Sequence, residues 1–243
     1  QNFFSKNISM GFRRLSIVDL SNNGRQPMIG NSNKMIMVFN GEIYNAKKLK
    51  KNLFNYKFHG SSDTEVLLKL YEIYGDKCLN MIRGMFSFLV YDENNDSIFL
   101  ARDQFGIKPL YYYEEENYII FSSEIKPILN YIKKSEINYN TLAEYFLLGK
   151  QDHYNKTFFK NIKSIEPAYY YKFRGQKKYA KKYWSIYNKN QKELNEKKSV
   201  EYLSNMLNET LEDYLVSDRK IGTFLSSGID STFLTSIIDK KLE

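Results

Sequence analysis

Cysteine, histidine and proline are all scarce in this sequence. Its 243 residues include one Cys, two His and four Pro. A lone thiol, Cys78, cannot close an internal disulfide, which points to a reducing compartment and so to the cytoplasm. A structural zinc site needs several Cys or His ligands at short spacing. Cys78, His59 and His153 are scattered, so no metal site is expected. Two isolated histidines also argue against a histidine-dependent nucleophilic triad. Apolar stretches such as Met85–Tyr91 fall far short of the ~20 residues of a membrane span. Gln1–Phe12 lacks the apolar core of a signal peptide.

The remaining composition is that of a globular chain, with 42% hydrophobic and 16% aromatic residues. A chain of this length buries roughly 70–75% of its unfolded surface and needs no covalent staple. It is long enough for one large domain or two. Formal charge is +8, unevenly placed: residues 1–185 carry 28 basic and 18 acidic side chains, and residues 186–243 carry 8 and 10.

Hydrophobic patterning predicts strands at Leu15–Asp19 and Lys34–Asn40, the second with Met35, Met37 and Phe39 on one face and Ile36 and Val38 on the other. Met85–Tyr91 with Ser97–Arg102, and Leu110–Tyr113 with Tyr118–Ser122, read as hairpins. Between these groups, Ser62-Asp63-Thr64-Glu65 fits a capping box. It opens a helix with Val66, Leu67, Leu70 and Tyr71 on its apolar face and Gly75 at its end. Asp76–Arg83 reads as helical, with Cys78 a structural residue beside Leu79 and Ile82. Thr141–Leu148 reads as a helix between Asn140 and Gly149. Arg102–Tyr112 reads as a strand end, a turn at Gly106 and Pro109, and a return to the sheet, with no catalytic part. The whole is an α+β reading with stacked sheets.

Composition changes after Trp184. Ser185–Lys198 is polar and without hydrophobic period, and reads as a linker. Val200, Leu203, Leu207, Leu211 and Tyr214 then recur at helical spacing. Ile221–Leu225 reads as a short buried strand, and Phe233, Leu234, Ile237 and Ile238 belong to a final helix. One strand and one helix cannot close an α/β domain, so the second domain is expected to be truncated. The boundaries are 1–185, a linker at 186–198, and 199–243.

Two groups of residues carry chemistry. The loop Leu225-Ser226-Ser227-Gly228-Ile229-Asp230-Ser231 places hydroxyls, a glycine and free N–H groups at a helix start, which suits an anion and equally suits a plain capped helix. It resembles the pyrophosphate-binding loop of the ATP pyrophosphatases, usually Ser-Gly-Gly-x-Asp-Ser. Ser226, Gly228, Asp230 and Ser231 fall on matching positions, and Ser227 replaces the first glycine. Upstream stand Arg13-Arg14-Leu15-Ser16-Ile17-Val18-Asp19, Asn40-Gly41-Glu42-Ile43-Tyr44-Asn45, Ser62-Asp63-Thr64-Glu65 and Arg102-Asp103-Gln104-Phe105-Gly106-Ile107-Lys108-Pro109-Leu110-Tyr111-Tyr112. In this order and spacing, with the loop, they resemble the glutamine-hydrolysing asparagine synthetases, whose glutaminase is of the class II amidotransferase type.

That resemblance implies an Ntn-type four-layer αββα sandwich followed by the start of an α/β ATP pyrophosphatase domain. It implies a glutamine pocket made of Arg14, Leu15, Ser16, Ile17, Val18, Asn40, Gly41, Glu42 and Asp63. Arg14 would fork onto the substrate carboxylate, Glu42 and Asp63 would offset its ammonium, and Asn40 with the Gly41 N–H would form the oxyanion hole. Read without the resemblance, the same residues are also a salt-bridged arginine and two helix-capping acids. ATP and pyrophosphate contacts fall to Leu225, Ser226, Ser227, Gly228, Asp230 and Ser231. The implied substrates are glutamine, aspartate and ATP with Mg²⁺, with no bound prosthetic group, no membrane and a homodimer as the assembly. The family's nucleophile is an N-terminal cysteine whose own amine is the base. This chain begins Gln1-Asn2-Phe3, so by itself it is expected not to hydrolyse glutamine.

Two alternatives stand beside this reading. Enzymes of the same superfamily amidate a sugar, a peptide or a β-lactam precursor, and the glutaminase half does not discriminate among acceptors. Phosphoribosyl- and hexosamine-type amidotransferases lack the pyrophosphate loop. The second alternative is an RNA-binding module. Lys172, Arg174, Lys177, Lys178, Lys181 and Lys182 interleave with Tyr169, Tyr170, Tyr171, Tyr179, Tyr183 and Trp184, where phosphates and bases would each find a partner. The same string reads as a hairpin with one solvated face, and nucleic acid is not the expected partner.

Overall fold

A computed structural model describes residues 1–30, 34–150, 155–175, 177–187 and 195–242. His153, Gln176 and the 188–194 part of the expected linker lie outside the described residues. The order begins with strands β1 (Asn2–Phe4), β2 (Ser9–Gly11), β3 (Met28–Ile29) and β4 (Met35–Ile43), then helices α1 (Ala46–Asn52) and α2 (Asp63–Tyr74). Strands β5 (Gly84–Asp92), β6 (Ser97–Arg102), β7 (Tyr111–Glu114) and β8 (Ile119–Ser122) follow. Then come helices α3 (Ile125–Ile132) and α4 (Tyr139–Leu148). Strands β9 (Ile162–Ser164), β10 (Tyr169–Arg174) and β11 (Lys177–Lys182) precede α5 (Glu196–Tyr214) and α6 (Ile229–Leu242).

Six antiparallel strands form the main sheet in the order β11-β10-β6-β5-β4-β3, and a second sheet runs β8-β7-β9. Strand alternation sends side chains of the main sheet into two cores. Met37, Phe39, Phe86, Phe88, Val90, Phe99 and Tyr170 pack on Leu49, Val66, Leu67 and Leu70 of α1 and α2. Their neighbours Ile36, Leu89, Tyr91, Leu100, Tyr171 and Phe173 face the other way, onto Tyr112 of the second sheet and onto Leu110 and Ile165, which flank its strands. Tyr113 and Ile162 leave the far side of that sheet to meet Ile128 of α3. Helices, sheet, sheet and helix give the αββα layering. Each fully buried ring, such as Phe86 or Phe88, contributes about 1.5–3 kcal/mol through its removal from water.

Several local expectations change. Leu15–Asp19 is an irregular loop, because Arg14 binds carbonyls along it and draws the chain back. The capping box is only half made. Ser62 Oγ accepts from Thr64 N at 3.2 Å, but the buried Glu65 carboxylate accepts instead from His59 N and Gly60 N at 2.8 and 3.0 Å. Those N–H groups belong to the loop folded over the helix start, and they satisfy the carboxylate first. Helix α4 is capped by Asn138 and Asp76–Arg83 is largely a 3-10 turn at Gly75–Asn80. Helix α5 begins inside the expected linker, where Asn195 Oδ1 accepts from Lys198 N at 3.0 Å. Ile221–Leu225 forms no strand. No described strand pairs with it, and Phe224 is fully exposed.

Consecutive residues at the end of β6 tie the sheets together. Arg102 donates to the carbonyls of Gly106, Lys108 and Ile165 at 2.7, 2.8 and 2.7 Å. Asp103, buried, accepts from the amides of Phe86, Phe105, Ile107 and Lys108 at 3.2, 3.1, 2.9 and 2.9 Å. Replacing Asp103 by Ala strands these donors, and it is expected to lower unfolding free energy by about 2–4 kcal/mol in urea titration. A loss under about 1 kcal/mol would mean that the crossing is held by packing alone.

Candidate functional site

An open cleft of about 2170 Å³ lies along the sequence-predicted glutamine residues. Arg14, Leu15, Ile17, Val18, Asn40, Gly41, Glu42 and Asp63 all line it, while Ser16 does not. Strand β4 carries Asn40, Gly41 and Glu42, the first residue of α2 is Asp63, and the loop after β2 brings Arg14–Val18.

The loop is built around Arg14. Its Nη1 donates to Ser21 O at 3.1 Å, and its Nη2 to Val18 O at 2.9 Å and Asp19 O at 2.5 Å. The terminal nitrogens are therefore occupied by the loop, and the expected two-pronged fork onto a carboxylate is not free in this conformation. Asp19 completes the turn with a φ of 57°. Its carboxylate accepts from Ser21 N and Oγ and from Ser61 N, at 3.0, 2.5 and 2.7 Å. Burial alone would raise the Asp19 pKa, but these hydrogen bonds and the Arg14 charge outweigh it and hold the carboxyl below its ordinary value.

Glu42 and Asp63 show the opposite behaviour. Burial raises both, and the charge of Asp63 raises Glu42 further while Lys108 partly offsets it. Asp63 Oδ2 also accepts from Ile43 N at 2.9 Å, which fixes the carboxylate against β4. Two carboxyls held above the ordinary range, with an open cleft before them, form an electrostatic seat for a cation.

Gly41 is required by space and by backbone. Its φ is 156°, and a Cβ there would sit 2.2 Å from Met85 O on the paired strand. Gln26 escaped the sequence reading because a single glutamine carries no motif. Its side chain clamps the strand beside Asn40, donating to Phe39 O at 3.0 Å and accepting from Phe39 N at 2.6 Å. Lys108 was legible only as part of the Arg102–Tyr112 string; it too lines the cleft.

The loop Ser226–Ser231 does not line this cleft. Ser226 and Ser231 hydroxyls lie 2.7 Å apart, Gly228 N donates to Ser226 Oγ at 3.2 Å, and α6 starts at Ile229 with Asp230 in its first turn. Cys78 is fully buried, and burial with the nearby Asp76 charge pushes its thiol up to about 12. Such a thiol stays protonated and is no nucleophile at neutral pH. Among the described residues no three His, Cys, Asp or Glu come together as a metal site, and no helix is long and apolar enough to cross a membrane.

Residues 1–184 match the family described as glutamine amidotransferase domain. The chain belongs to that family. Residues 203–243 of this amidotransferase chain match a second family, asparagine synthase. "Asparagine synthetase [glutamine-hydrolyzing] 2" of Bacillus subtilis is 35% identical, aligned over 99% of this chain and 34% of its own length. A "Putative asparagine synthetase [glutamine-hydrolyzing] 2" of Methanocaldococcus jannaschii is 35% identical over 98% of this chain and 49% of its own. "Amidase chry2" of Gibberella zeae is 32% identical over 97% and 36%. The chain thus spans between a third and a half of the length of these relatives.

The basic hairpin of this amidotransferase domain is built as a sheet edge. Tyr170 and Tyr171 are buried in opposite cores. Lys172 pairs with Asp76 at 2.7 Å and Lys178 with Glu114 at 3.2 Å. Tyr169 and Tyr183 pack against the same two cores, and Trp184 meets Phe105 edge-on, so two of the six cations and most of the rings are already used. Lysines along an outer strand also discourage edge-to-edge pairing.

Gly41 and Gly75 give a paired test of the cleft wall. Gly75, at φ 56° and ψ −137°, a region open essentially to glycine alone, and with no atom within 4 Å of a Cβ, should cost about 1–3 kcal/mol on replacement by Ala. Gly41→Ala should cost about 2 kcal/mol more, because the Met85 carbonyl must also give way. Equal urea midpoints for the two variants would show that β4 and β5 can part at Gly41 without strain.

Proposed function

We propose that the chain is the glutaminase part, with the opening of the synthetase part, of an ATP-dependent, glutamine-hydrolysing asparagine synthetase. Residues 1–185 would be the glutaminase, 186–198 the linker and 199–243 the start of the ATP pyrophosphatase domain. The observation that carries the reading is one cleft lined by Arg14, by Asn40 and Gly41, and by the paired acids Glu42 and Asp63. A free amino acid with an amide side chain presents a carboxylate, an ammonium and a carbonyl, and these groups complement all three.

In this reading the ammonium of glutamine sits before Glu42 and Asp63, and Arg14 holds the loop and offers its charge to the carboxylate. Asn40 and the Gly41 N–H receive the oxyanion when the amide carbon is attacked. The attacking group would be an N-terminal cysteine thiol, with its own amine as base. Ammonia released there would be consumed where MgATP has adenylated the β-carboxylate of aspartate. Ser226, Ser227, Gly228 and Ser231, with Leu225 before them, would cradle the pyrophosphate, and Asp230 would face its magnesium. The cytoplasm is the compartment proposed, and a homodimer the assembly. A second reading keeps the same glutaminase and changes the acceptor, since the match to an amidase of Gibberella zeae is nearly as strong as that to the synthetases.

Two measurements on the full-length protein test this. Asp230→Ala should abolish aspartate-dependent pyrophosphate release and leave glutamate release within about 2-fold, whereas Arg14→Ala should raise the KM for glutamine at least ~10-fold. Unchanged pyrophosphate release in Asp230→Ala would remove ATP from this loop.

Acidity supplies the other measurement. Both acids have folded-state values above their ordinary 4.5 and 3.8, so their ionisation opposes folding at neutral pH and that penalty fades as pH falls through the raised values. A bound ammonium relieves it without protonation. The KM for glutamine is therefore expected to rise on acidification, beginning above pH 4.5. A flat KM down to that pH would mean that the acids do not face the substrate.

A further inference from the structure

The glutamine loop is held from outside the amidotransferase domain. Asp19 N donates to Asp218 Oδ2 at 2.7 Å, and Asp218 N donates back to Ile17 O at 3.2 Å. Next to them, Arg219 Nε donates to Ser16 O at 3.4 Å. Residues 217–219 follow α5, beyond the 1–184 match, and Asp218 lies eight residues before Ser226. The end of α5 is itself fixed on the same face. Tyr214 stacks on Tyr44 with ring centroids 3.9 Å apart, and Asp213 pairs with Lys48 of α1 at 2.7 Å.

The contact falls where the loop most needs support. Asp19 is a non-glycine residue at φ 57°, a conformation that relaxes unless its neighbours over-determine it. Its carboxylate is fixed by Ser21 and Ser61, and its carbonyl by Arg14. Its amide is the remaining backbone group, and the Asp218 carboxylate takes it through a charge-assisted bond. Asp19 is buried while Asp218 is exposed, so removing the Asp218 side chain leaves the core untouched and strikes the loop alone.

We propose that Asp218 is a positioning residue for glutamine binding: a side chain of the synthetase segment that sets the Ile17–Asp19 turn and, through Asp19 O, the Arg14 guanidinium. The proposal rests on the glutaminase reading above for the identity of the substrate, and on geometry alone for the clasp.

The test uses the full-length protein with Asp218→Ala and Asp218→Asn. Loss of one charge-assisted bond should speed hydrogen exchange of the Asp19 amide, read by residue-resolved mass spectrometry, roughly 10-fold in Asp218→Ala. Asn keeps one acceptor oxygen and should return most of the protection. In glutamate-release assays Asp218→Ala should raise the KM for glutamine by about the same factor while kcat stays within about 2-fold, since no reacting group is touched. Unchanged exchange at Asp19 overturns the clasp, and faster exchange with an unchanged KM overturns the positioning role. A wild-type protein that releases no glutamate from glutamine overturns the glutaminase reading instead, and the exchange rates then decide by themselves whether Asp218 holds the loop.

Discussion

The corner formed by Arg102 and Asp103 is the constraint on which the architecture turns. The guanidinium collects carbonyls from the 106–108 turn and from Ile165, and the carboxylate collects amides from the same turn and from Phe86. Backbone groups at a sheet-to-sheet crossing have lost their ladder partners, and burial without replacements would be expensive. Because the two charged side chains take up donors and acceptors together, the chain can leave the main sheet at β6 and enter the second sheet at β7 within a few residues. Tyr183 adds a third tie, its hydroxyl donating to Arg102 O at 2.8 Å.

The same corner reaches the cleft. Asp103 holds Phe86 N, and Phe86 is the register partner of Gly41, whose backbone forms the cleft wall. The turn held by Asp103 ends at Lys108, whose charge partly offsets the raised pKa of Glu42. The sheet crossing and the cleft wall therefore share one set of hydrogen bonds, and Lys108 of the string Arg102–Tyr112 lines the cleft itself.

Charge follows a division of labour in and behind this cleft. Asp19, saturated with hydrogen bonds, stays ionised and shapes a loop. Burial raises Glu42 and Asp63 and more than offsets the charges of Lys108 and Arg14 beside them. Asp19 and Asp63 each accept several hydrogen bonds and both feel the Arg14 charge; burial outweighs these at Asp63 and is outweighed by them at Asp19.

How much was legible in the sequence depends on the range of the forces involved. Strand alternation in Met35–Phe39, the helix stop at Gly75 and the hairpins at 85–102 are set by side chains within a few residues, and periodicity reveals them. Motifs carried Arg14, Asn40, Gly41, Glu42 and Asp63, which the fold gathers from a loop, a strand and a helix start into one cleft. Other features depended on partners far along the chain. Leu15–Asp19 has the composition of a strand and became a loop because Arg14 found carbonyls at 18, 19 and 21. Glu65 left its capping position for amides at 59 and 60. Nothing local to Asp218 marks it as a partner for Asp19, 199 residues away. Local propensity is written in neighbouring residues, whereas the choice among competing hydrogen-bond partners is made only when the tertiary fold brings them within reach.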